Sequence, residues 1–308
     1  MAHELFHCAQ PSLGFVQNNQ ESPHLDKKEG RIYLRLEMEA LLKALLSETE
    51  KEQKRHLTHA FIFRKYRNSL FPGSSQLENL LELNEGIAEY TGLMVSGRTK
   101  NQTKEHFISS INEFFKNSSY VRSFAYYTIP IYGYLLSFKI PLWNQNIHSN
   151  SQLIDFFIEA FELQLPADVK PLITHISNEY NGETIFAEEE KREERIKQEI
   201  ADYKRKFTEK FHVELKFEQM NISFDPRNLI PLEEMGTIYP TLRLTDNWGI
   251  LEVNKGALIS INWDKITLSH PTKIARQTIE GDGWLLQLNE NYSFELDEKN
   301  HIYGIRKN

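Results

Sequence analysis

His3-Glu4-Leu5-Phe6-His7 opens the chain, and Leu83-Asn84-Glu85-Gly86-Ile87-Ala88-Glu89-Tyr90 stands well downstream of it. Both stretches read as helix, and that reading gives them chemistry. On a helix, histidines at i and i+4 point the same way, one turn apart, able to share one cation with Glu4 beside it. Glu85 and Glu89 are also four apart and share a helical face. Two imidazoles and one carboxylate are the ligand set of a catalytic zinc site, which keeps one coordination position open. His3, His7 and Glu85 are therefore the expected metal ligands and Zn2+ the expected cofactor. Glu4 is the expected general base, taking the proton of a water that the metal acidifies. Glu89 is expected to hold the second ring nitrogen of a ligating histidine and so set its tautomer.

Outward from these motifs the pattern stays helical for more than half the chain. Leu34, Met38, Leu41, Leu42, Leu45 and Leu46 recur at three and four, a buried helical stripe. Glu48 to Arg55 reads as a polar break before a second helix from His56. A third helix is predicted from about Gln76 to Met94, behind the turn cluster Phe71-Pro72-Gly73-Ser74-Ser75. Pro11, Gly14, the Asn18-Asn19 pair and Pro23 mark a loop after a short helix ending near Gln10. Further helices are expected at about Thr103 to Phe115, Tyr127 to Phe138 and Ser151 to Leu163. The charged segment from Ala187 to Phe211 keeps Ile196, Ile200, Tyr203 and Phe207 on one face, so it reads as an amphipathic linking helix with solvated charges.

Beyond His212 the period changes to two, as in Val213-Leu215-Phe217 and Leu242-Leu244, with glycine-containing turns between runs. A small antiparallel module of about five to seven strands is expected there. The fold class is α+β: a helical catalytic region over 1–185, a linking helix over 186–211 and an antiparallel β domain over 212–308.

Hydrophobic residues make up 40% and charged residues 26% of the 308, the composition of a globular chain. A formal charge of −7 disfavours a sequence-independent nucleic-acid binder, which needs a basic surface to neutralise phosphates. The most apolar run, Ile129 to Trp143, contains Lys139 and falls short of the roughly 20 residues that span a bilayer. The single cysteine, Cys8, cannot form an intramolecular disulfide and reads as a small buried hydrophobe, since neighbours on a helix diverge by about 100°. Localisation stays open: cytoplasmic as the chain stands, extracytoplasmic if a signal peptide precedes it.

HELFH followed by NEGIAEY resembles the gluzincin group of zinc metallopeptidases, which includes thermolysin and the large zinc aminopeptidases. The resemblance covers about the first third of the chain and implies the same roles: Glu85 as third zinc ligand, Glu89 supporting a zinc histidine. It implies hydrolysis of peptide bonds in a peptide or protein substrate. It also implies a tyrosine that stabilises the oxyanion; Tyr127 is the expected residue, with Tyr132 as the alternative, in the segment Tyr126 to Leu136. Two features depart from the family. Residues 8–84 separate His7 from Glu85, far more than in familiar members, so the helices between are an insertion. Gluzincins also place a sheet before the first motif, with an edge strand that pairs with substrate, and the chain begins at that motif. The competing reading is a non-catalytic zincin-like scaffold whose β domain binds a partner; an intact Glu4 argues against it. Gln10, His56, His59, His106 and His175 read as structural.

Overall fold

The computed structural model describes residues 2–16, 20–209, 211–226 and 229–308. The Asn18-Asn19 pair and Met1 lie outside them. The chain is α+β and divides into two compact units, Met1–Glu193 and Glu194–Asn308. The division falls inside the long helix expected as a linker.

Within the first unit every regular element among the described residues is helical. A short helix α1 (Ala2–Ala9) precedes two long ones, α2 (Lys28–Leu46) and α3 (Glu50–Leu70). α3 starts earlier than the sequence suggests, because Thr49 and Glu52 form a capping box that satisfies backbone donors of its first turn. The charged residues from Glu50 to Arg55 are thus its solvent-facing start rather than a break.

The third predicted helix is interrupted. α4 (Ser74–Leu81) runs into a π-helical turn, Glu82–Gly86, and resumes as α5 (Ile87–Met94). Then follow α6 (Lys100–Phe114), α7 (Ala125–Ser137), α8 (Leu153–Ala160) and α9 (Ile173–Ser177). The core of this unit gathers Leu34, Leu36, Met38 and Leu41 from α2, Leu57, Phe61 and Phe63 from α3, Ile87 from α5 and Ile129 from α7.

α10 (Gly182–Lys204) is amphipathic as expected, but its charges are not all solvated. Glu189 is buried and receives Arg31 Nε at 2.8 Å and Arg35 at 2.9 Å, both from α2.

Among the described residues the second unit holds thirteen strands in two sheets, nearly twice the number the alternation predicts. The excess arises from strands too short or too evenly buried to show a period, such as Ala257–Ile259, whose three residues are all buried. The seven-stranded sheet contains His212–Lys216, which pairs antiparallel with Lys265–Ser269 and parallel with Ile302–Lys307. The six-stranded sheet centres on Gly249–Val253, between Leu242–Asp246 and Trp284–Leu288, both antiparallel to it. Inward residues of both sheets, among them Val213, Leu215, Leu244, Leu251, Ile266 and Leu286, form one core, so the unit is a sandwich.

Among the described residues, no helix is long and apolar enough to cross a membrane.

Candidate metal centre

The centre lies within the first unit, where α1 meets α5. Gly92 permits the approach: a Cβ there would stand 3.1 Å from the backbone nitrogen of His3. α1 leaves Leu5 64% exposed on its outer side and packs Phe6 against the core of the unit.

Glu85 is carried by the π turn. There the N–H of Ile87 donates to the carbonyl of Glu82, an i→i−5 bond, and such a turn accommodates an extra residue at the cost of ordinary helical pairing. The side-chain amide of Gln10 donates to this turn, reaching Asn84 O at 2.8 Å and Leu83 O at 3.4 Å.

Three ligand atoms converge. His3 Nε2 and His7 Nε2 are 3.0 Å apart, and Glu85 Oε2 stands 3.4 Å from the first and 3.2 Å from the second. The outer nitrogens have their own neighbours: His7 Nδ1 faces Gln10 Oε1 at 2.7 Å, and His3 Nδ1 lies 2.9 Å from Glu89 Oε2. The latter contact has hydrogen-bond length but not its direction.

The fit to a metal can be tested on these edges. Tetrahedral bonds of about 2.0–2.1 Å put ligand atoms about 3.3 Å apart, and the three observed separations bracket that figure. If both outer nitrogens carry the ring protons, both Nε2 atoms present lone pairs to each other and to a carboxylate oxygen. Three electron-pair donors this close repel unless a cation or a proton lies among them. His3, His7 and Glu85 are thus able to hold a cation together.

Glu4 projects from the same helix and is exposed. Neither tyrosine predicted for the site is the one beside the cluster. Tyr132 is fully buried, its hydroxyl donating to Glu37 Oε1 at 2.9 Å, and Tyr127 packs its ring 5.0 Å from that of Phe114 while also lining the cavity beside the cluster. The phenol brought to the cluster belongs to Tyr126. It donates to Glu85 Oε2 at 2.6 Å, and its ring stacks on His3 at 5.6 Å. Burial, then the neighbouring Glu85 carboxylate, pushes its pKa well above the ordinary phenol value, so the proton is held at neutral pH.

No family model, curated protein or solved structure matches the chain.

Beside the cluster opens a cavity of about 520 Å³, walled by Leu93, Phe107 and Ile131 together with Glu89, Tyr126 and Arg122. It also includes His106, so that histidine faces open space instead of serving the core. His56 and His59 do serve the interior, both ring Nδ1 atoms contacting Tyr180 Oη at 2.6 and 2.8 Å, and burial pushes His59 down to about 4. His175 is exposed. Cys8 is exposed too, contrary to expectation, because α1 turns it away from α5. Gln10 is the residue that sequence reasoning undervalued. Its one available signal was its position three after His7, on the same helical side.

Proposed function

We propose that the chain is a zinc-dependent peptidase of gluzincin type that hydrolyses peptide bonds in a peptide or protein substrate. The observation that carries this reading is the convergence of His3 Nε2, His7 Nε2 and Glu85 Oε2 at tetrahedral ligand spacing, with Glu4 on the histidine helix. A zinc ion held by three protein groups supplies an open coordination position, Lewis acidity toward a carbonyl oxygen, and a water pKa lowered to about 7.

The chain's own residues do the rest. His3 and His7 offer Nε2 lone pairs, Glu89 and Gln10 steady the rings, and Glu85 supplies one negative charge. Glu4, solvent-accessible one residue after His3, takes a proton from the attacking water and passes it to the leaving amine. Tyr126, protonated beside the cluster, is the donor to the developing oxyanion, the role the family resemblance assigns to a tyrosine. The adjacent cavity, with walls from Leu93, Phe107 and Ile131 and with Arg122 in its lining, accommodates substrate side chains.

Elemental analysis of the full chain and His3→Ala, with casein or peptide hydrolysis by the full chain and Glu4→Gln, tests the proposal. One zinc per chain is expected, lost in His3→Ala. Glu4→Gln should keep its zinc and lose about 10²–10⁴-fold in kcat. Bound zinc without any peptide turnover by the parent would sink the enzyme reading and favour the scaffold.

A further inference from the structure

We infer that Gln10 is a positioning residue that ties two separate elements of the metal centre together, fixing the tautomer of His7 and the π turn that presents Glu85. The inference rests on the reading of the cluster as a metal site, and concerns a residue outside the ligand set.

A backbone carbonyl only accepts, so the Gln10 atom 2.8 Å from Asn84 O and 3.4 Å from Leu83 O must be the NH2 group. The amide orientation is thereby set, and the atom 2.7 Å from His7 Nδ1 must be the carbonyl oxygen Oε1. That oxygen also only accepts, so His7 carries a proton on Nδ1, and in its neutral form the nitrogen left with a lone pair is Nε2, the one facing His3 and Glu85. The chain of inference runs from two carbonyls of the π turn, through one side chain, to the electron pair of a ligand on another helix.

Gln10 is also fully buried, which makes each of these bonds matter. A buried amide with a missing partner costs more than the same group in water. The amide of Gln10 reaches the two carbonyls of the π turn that immediately precede Glu85. Glu85 follows Asn84 directly, so holding the Asn84 carbonyl holds the third ligand's backbone. Phe6 packs α1 against the core, and Gln10, just past its end, adds a buried polar tie to the π turn.

Two measurements on the full chain test this, one of them independent of any metal. Long-range proton–nitrogen NMR of histidine-labelled, metal-free protein should show His7 as the Nδ1–H tautomer. Gln10→Met, close in size but without either bond, should move His7 toward Nε2–H and weaken zinc binding about 10–100-fold in competition with a chromophoric chelator. Gln10→Glu keeps an acceptor facing His7 but loses the donors to the π turn, so it should retain the Nδ1–H tautomer while its zinc affinity falls below that of the parent. An Nε2–H His7 in the parent overturns the inference, as does a folded Gln10→Met that keeps both tautomer and affinity. A parent that shows the Nδ1–H tautomer yet binds no zinc would uphold the Gln10 role and refute the metal reading, so the two failures are separable.

Discussion

At Tyr126 the hydroxyl donates to Glu85 Oε2, while the next residue along, Tyr127, turns its ring to Phe114. Adjacent residues on a helix diverge by about 100°, so one phenol can serve the centre and the other the core. Their functional consequences should differ accordingly. Tyr126→Phe removes the donor next to the cluster and is expected to lower kcat by about 10²–10³-fold. Tyr127→Phe keeps the ring packing and should leave kcat almost unchanged. Steady-state peptide hydrolysis by the two variants decides it; equal losses, or none at Tyr126, would remove Tyr126 from the mechanism. Sequence alone could not choose between them, because the rotational phase of α7 against the π turn is a property of packing. The four residues His3, His7, Glu85 and Glu89 were legible because helical spacing puts each pair on one face whatever the surroundings.

At the scale of elements, the π turn hangs from a buried ionic network. Glu82, its first residue, accepts from Arg64 at 2.5 Å and from Thr128 Oγ1 at 2.7 Å. Arg64 Nε also approaches Glu37 Oε1 at 3.1 Å, and Arg67 bridges Glu37 at 2.7 Å and Glu78 at 2.6 Å. All six residues are no more than 2% exposed, so none can exchange its partner for water. Removing one member strands the others' charges. Arg64→Met should cost about 3–5 kcal/mol in urea unfolding, more than a surface ion pair ever does, since Glu82 and Glu37 stay behind in the core. A loss below about 1 kcal/mol, the range of exposed pairs, would mean that the network is not sealed from solvent. The network spans α2, α3, α4 and the π turn, and so explains why residues 8–84 intervene between the motifs: those helices carry the arginines that anchor the turn bearing Glu85. Nothing in the local sequence around Arg64 or Glu82 marks them as buried, for both are charged residues in helices that have an exposed face.

For the whole molecule, the two cores are distinct and so are their contents. His3, His7, Glu85 and the residues that contact them all lie within Met1–Glu193, and the sandwich core is assembled from the β unit alone. A fragment of residues 1–193 is therefore expected to bind zinc as the full chain does, by the same chelator competition. Weakening by about tenfold or more, about 1.4 kcal/mol, would show that the β unit contributes to the centre.

The amino-acid order by itself determined the α+β class, the helical reach of the first unit, the onset of strands at His212 and the four residues of the two motifs, because periodicity and i, i+4 spacing are local. Only the tertiary structure decided the thirteen strands, the π turn, the choice of Tyr126, the role of Gln10 and the buried arginine–glutamate network. Those depend on which faces of distant elements meet, and a side chain's partners across such a contact leave no periodic trace in its own neighbourhood.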